Sequence, residues 1–206
     1  MLDFTLLVLF IPTIFLISIS PGMCMTLAMT LGISVGYKKT LWMMWGELLG
    51  VAVVAISAVL GVAKIMLGYP EVFTVLKIVG AIYLTYVAIN MWLAKGRLAI
   101  NANGDLSSIN KKGLLQQGFI TAISNPKGWA FTVSLLPPFI NSQQALAPQL
   151  SILVIIILLS EFICMSLYAT GGKTLANYLT KNNKISLLNK ISACLMLAVA
   201  FWLLLG

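Results

Sequence analysis

Three charged side chains stand inside otherwise apolar stretches: Glu47, Lys127 and Glu161. A charge at the centre of a bilayer costs roughly 2.5–3.5 kcal/mol on insertion scales, so such residues normally face a cavity or a partner. Two carboxyls and one ammonium have two kinds of use. They can be structural, with Lys127 salt-bridged to either glutamate or a side chain snorkelling to an interface. Or they can be functional, since a buried carboxyl can carry a proton or hold a substrate amine, and an ammonium can receive a substrate carboxylate. Glu47 and Glu161 are therefore the proton-coupling candidates, and Lys127 is a substrate-binding candidate.

Lys127 sits within residues 123–131, ISNPKGWAF, where an amide, a helix breaker and a cation follow one another as Asn125-Pro126-Lys127. Proline removes a backbone donor and clashes with the preceding turn. The carbonyls it frees must face protein or a water-filled cavity, because lipid cannot satisfy them. Pro21-Gly22 makes a similar break. Phe4 to Gly36 would run about 50 Å as one helix, against a hydrocarbon core of about 30 Å, so this segment must tilt, project or break. One such break reads most simply as a packing kink; two in corresponding positions point to a binding site between them. A half-helix beginning at Gly22 or after Pro126 would aim its N-terminal amides at a substrate carboxylate. The substrate-binding candidates are thus Pro21, Gly22, Asn125, Pro126 and Lys127. Two polar stripes at helical spacing add Thr26, from Thr26, Thr30 and Ser34, and Tyr83, from Tyr83, Tyr86 and Asn90. Either stripe is equally compatible with interhelical hydrogen bonding.

The elements that must position these residues follow from composition. The chain has 206 residues, 60% hydrophobic and 9% charged, with a mean hydropathy of +1.02. Soluble domains carry about 25% charged residues, so an all-α integral membrane protein is expected. Charged and Gly/Pro-rich breaks mark six spans, at about 4–36, 41–63, 72–93, 114–139, 149–172 and 186–205. The first connection carries Lys38 and Lys39, the third Lys95, Arg97, Lys111 and Lys112, and the fifth Lys173, Lys181, Lys184 and Lys190. The second holds only Lys64 and the fourth no basic residue. The positive-inside rule puts the odd connections in the cytoplasm and both termini on the periplasmic side. Six spans divide into two sets of three with opposite orientation, so the halves, about 1–94 and 113–206, are expected to form inverted-topology repeats in one membrane domain. Spans 1 and 4 would be interrupted at Pro21 and Pro126, and residues of about 95–112 would form a cytoplasmic linker.

Other classes find little support. The net charge of +8 is mainly a topology signal, and no basic folded domain suggests nucleic acid. Without histidine or a C-x-x-C pair, no metal or cofactor is expected, and Cys24, Cys164 and Cys194 read as packing residues. No Ser/Lys dyad or metal cluster suggests an intramembrane enzyme, and no basic region precedes the first apolar run as a signal peptide would require. Gly32/Gly36 and Gly46/Gly50 have the spacing of close helix packing. A non-transporting subunit of a larger complex and a passive small-solute channel remain as alternatives to a carrier, and homo-oligomerisation is left open.

The ordered series Pro21-Gly22, Gly32-x-x-x-Gly36, Gly80-Ala81-Ile82-Tyr83-Leu84, Gly118-Phe119, Asn125-Pro126-Lys127, Phe131 and Leu136-Pro137-Pro138-Phe139 resembles the LysE/RhtB family of amino-acid exporters. The resemblance covers essentially the whole chain. It implies a carrier of the bacterial inner membrane that expels amino acids or related metabolites, small zwitterionic or cationic molecules, driven by the proton-motive force. Two departures stand out. The family typically reads Pro-Gly-Pro in its first span, where this chain has Met23 after Gly22, and Glu47 is not part of the family pattern.

Overall fold

The computed structural model describes residues 4–68, 70–93, 110–136, 139–141, 144–181 and 184–205. Its regular elements are helices: α1 (Phe4–Ile19), α2 (Met23–Val35), α3 (Tyr37–Gly68), α4 (Pro70–Leu93), α5 (Lys111–Ile123), α6 (Pro126–Leu135), α7 (Leu146–Lys181) and α8 (Lys184–Leu205). Most of the expected 95–112 linker lies outside the described residues.

Each helix end near the centre of the chain has a local cause. A residue before proline is pushed out of the helical region, so α1 closes at Ile19 and Ser20 turns back on it, its amide and its hydroxyl both donating to Ile17 O (3.2 and 2.8 Å). The chain then bends by 56° into α2. Gly22 precedes α2 in extended conformation and offers no side-chain cap. At the other break, Ser124 and Asn125 close α5 through Ile120 O and Ala122 O. Asn125 then caps α6, its side chain accepting from Lys127 N at 3.1 Å, with Pro126 opening the helix where its missing N–H is harmless. Between α2 and α3, Gly36 takes a φ of 80°, and a second positive φ, 40° at Gly172, kinks α7. A side chain is poorly tolerated in that region of backbone space.

The helices meet at bare backbone. α3 packs chiefly on α5, α2 on α7, and α4 on α8. A Cβ at Gly46 would stand 1.9 Å from Leu115 O, one at Gly118 1.9 Å from Met43 O, and one at Gly32 2.1 Å from Ala169 O. Of the four glycines expected to pack, Gly32, Gly46 and Gly50 do so. Gly36 serves the turn instead, with nothing within 4 Å of its absent Cβ.

Two apolar clusters form the interior. One gathers Phe10, Ile14, Phe131, Phe139, Leu153 and Ile157, with the Phe10 and Phe139 rings edge-to-face at 4.8 Å. The other gathers Met29, Met43, Met44, Leu114, Met165 and Tyr168. Large apolar side chains such as Leu9, Leu49, Ile120 and Leu159 face outward, which suits a hydrocarbon solvent. Among the described residues, Tyr37–Gly61 and Leu146–Gly172 are long and apolar enough to cross a membrane, and the bent pair Leu7–Ile19 and Met23–Val35 adds a third crossing if it forms one span.

Candidate functional site

Both breaks open onto one cavity between the apolar clusters. It is open on one side, and its roughly 720 Å³ of non-atom space includes the solvent at that mouth. Ile14, Ile17, Val51, Val54, Phe131, Leu136 and Ile157 give it an apolar wall, while Ser18, Ser20, Gly22, Cys24, Glu47, Asn125, Lys127, Thr132 and Glu161 supply its polar lining. Five of the nine residues singled out from the sequence therefore meet here: Gly22, Asn125, Lys127, Glu47 and Glu161. Pro21 shapes the first break without lining the cavity, and Pro126 opens α6 at the second, its side chain lying outside the described residues. Thr26 points elsewhere, since its hydroxyl donates to Gly22 O at 2.7 Å. Thr30 and Ser34 do the same one and two turns on, so this stripe satisfies its own helix. The side chain of Tyr83 lies outside the described residues, and Tyr86 is exposed.

The three charges are held differently. Glu47 is 1% exposed, and its Oε2 is buried without a hydrogen-bond partner among the described residues. The Cys24 thiol lines the same cavity and accepts a contact from Asn125 Nδ2 at 3.5 Å. Glu161, on α7, accepts from the Ser18 hydroxyl at 2.9 Å. The Lys127 ammonium donates to Ile17 O at 2.9 Å, to Ser20 O at 3.3 Å and to the Ser20 hydroxyl. Its three protons go to the end of α1, and Glu161 lines the same cavity.

Besides Thr132 on α6, sequence reasoning missed Ser18, Ser20 and Cys24 as members of this site. Their only visible signal is position: two hydroxyls just before the Pro21 break and a thiol in the first turn after it. On the chain, Lys127 lies 107 residues from Ser20 and 110 from Ile17, a separation that no local pattern encodes.

The arrangement combines an uncapped helix start, an orphan carboxyl oxygen and a pinned cation around a half-apolar cavity. Comparison with known proteins relates the chain to transporters. Residues 15–206 match the family model described as LysE type translocator. The homoserine/homoserine lactone efflux protein of Salmonella typhimurium is 27% identical over 184 residues, 89% of this chain and 88% of that protein. The leucine efflux protein of Klebsiella pneumoniae is 27% identical over 168 residues, 81% and 78% of the two chains. An uncharacterized membrane protein of Bacillus subtilis, YrhP, is 29% identical over 160 residues, 74% of this chain and 76% of its own. No solved structure matches the chain. With the family model spanning nearly its full length, this multi-pass membrane protein belongs to the LysE type translocators.

Proposed function

We propose that this protein is a secondary exporter of amino acids or closely related small metabolites across the bacterial inner membrane, coupled to protons. The observation that carries the reading is the orphan Oε2 of Glu47, which shares its cavity with the uncapped start of α2. A buried polar atom without a partner is costly, and native structures keep one chiefly where a ligand or a proton completes it. The first amides of α2 carry the positive end of the helix dipole and suit a carboxylate. The Lys127 ammonium adds charge there, its Nζ lying 3.7 Å from where a Cβ on Gly22 would be. An α-amino acid carries both complements, its ammonium on Glu47 and its carboxylate on α2, with its side chain against Val51, Val54 and Ile157. The efflux functions named for the Salmonella and Klebsiella relatives agree with this substrate class.

In this reading the eight helices compose six spans. α1 with α2 and α5 with α6 are the interrupted first and fourth, each opening an inverted three-helix repeat, and both termini are periplasmic. Rocking of one repeat against the other then gives alternating access. Glu161, held by Ser18 and facing Lys127, is the carrier of the coupling proton.

Proteoliposomes loaded with labelled homoserine or leucine and given a pH gradient test both parts. Flux should follow the gradient in the wild type and lose that dependence in Glu161→Gln, with substrate exchange at equal pH retained. Gradient-driven flux unchanged in Glu161→Gln removes that residue from the coupling step. Wild-type flux indifferent to the gradient favours a passive channel, and no flux of any amino acid favours a non-transporting subunit.

A further inference from the structure

The end of α1 is one of the electronegative features of the cavity. A helix leaves its last four carbonyls without intrahelical partners, and the peptide dipoles place roughly half a negative charge there. This end is in the protein interior, with Ser20 wholly buried. The Tyr168 hydroxyl takes Ile19 O at 2.9 Å. Ile17 O, Ser20 O and the Ser20 hydroxyl converge on a single point, and the Lys127 ammonium occupies it. An ammonium has three donors and no acceptor, so three oxygens satisfy it fully.

Two carbonyls and a hydroxyl are hard oxygen ligands at an interrupted helix, and the Glu161 carboxyl lines the same cavity. At such breaks in transporters, unwound carbonyls and half-helix C-termini coordinate small coupling cations. Here the position is taken by a cation covalently attached to α6. An ammonium group is close in size to a potassium ion, and its oxygen contacts fall where those of an alkali cation would.

We propose that Lys127 is a resident cation occupying an alkali-cation site formed by the end of α1, so that the wild-type protein neither binds nor is coupled to sodium or potassium there. Removing the side chain opens the site to a free small monovalent cation. The role concerns which ion the fold holds, and it can be read from stability without any assay of export.

The purified full-length protein is heated in chloride salts of sodium, potassium, ammonium and choline at equal ionic strength. The wild type should unfold at the same temperature in all four. Lys127→Ala and Lys127→Ser, which leave the oxygens uncovered, should be less stable in choline. They should recover at least about 3 °C in one of the small cations once it exceeds its dissociation constant about tenfold. Lys127→Met, which fills the space with an uncharged chain, should lose stability without cation-specific recovery. A small-cation shift in the wild type overturns the proposal. So does equal behaviour of the Ala and Ser variants in choline and in the small cations, or their failure to fold in any of the four salts. A separate arm rests on the export reading: wild-type flux should be unchanged when choline replaces sodium and potassium. Failure of flux altogether would count against export and leave the stability result standing.

Discussion

Glu47→Gln is expected to lower export about 100-fold while leaving the protein as stable as the wild type. A substrate ammonium on a buried carboxylate is a charge-assisted pair in a poorly solvated site, and truncating one side of such a pair costs about 2–5 kcal/mol. At 1.4 kcal/mol per decade, the middle of that range exceeds a hundredfold. The stability half of the expectation comes from geometry. Glu47 is almost fully buried, its Oε2 has no partner, and the one described cation in the cavity spends its three protons on α1. Were Glu47 instead half of a structural salt bridge, removing it would cost about 3–5 kcal/mol. Glu47→Met separates the two possibilities. It deletes an orphaned acceptor whose burial costs about 1–3 kcal/mol, so its unfolding temperature should match or exceed that of the wild type while flux is lost. A Met variant that is inactive and also markedly less stable would assign Glu47 to the scaffold. Flux that survives in Glu47→Gln would move the amine site elsewhere.

How much of this site could be read from the chain depends on the range of the interaction. The helix ends at Ser20 and Ser124 are local events, dictated by Pro21 and by Asn125-Pro126, and both are visible as residue chemistry. The charges at 47, 127 and 161 are visible for a different reason, because each is expensive in an apolar run and so must be accommodated. What each charge touches is not encoded locally. Lys127 reads as a partner for a glutamate or a substrate carboxylate until the end of α1 is folded onto it. Cys24 reads as a small apolar filler until the fold brings the Asn125 amide onto its thiol. The Thr26, Thr30 and Ser34 stripe misleads in the other direction. Helical spacing puts the three on one face, but each hydroxyl can reach the carbonyl four residues back, an intrahelical bond that competes with any cavity role.

The same distinction governs the glycines, and it yields the second large effect. In sequence, Gly61 and Gly118 are alike, single glycines in apolar helices. In the fold, a Cβ at Gly61 would meet nothing within 4 Å, whereas one at Gly118 would stand 1.9 Å from Met43 O and 2.8 Å from Glu47 N. Those neighbours are backbone, so they cannot swing aside as a side chain could; α5 must move away from α3. Overpacking typically costs about 1–3 kcal/mol, occasionally more. With two backbone atoms in the way, Gly118→Ala belongs at the upper end, near 3 kcal/mol. The displaced segment of α3 carries Glu47, so export should fall further than the loss of folded protein explains. Gly61→Ala should be neutral or stabilising by up to about 1 kcal/mol, since alanine is the better helix former. Thermal unfolding of the two variants in one detergent, with flux normalised to folded protein, measures both expectations. Equal stabilities would mean that α3 and α5 do not meet along this seam. A Gly118→Ala protein that is destabilised but fully active per folded molecule would uncouple the seam from Glu47.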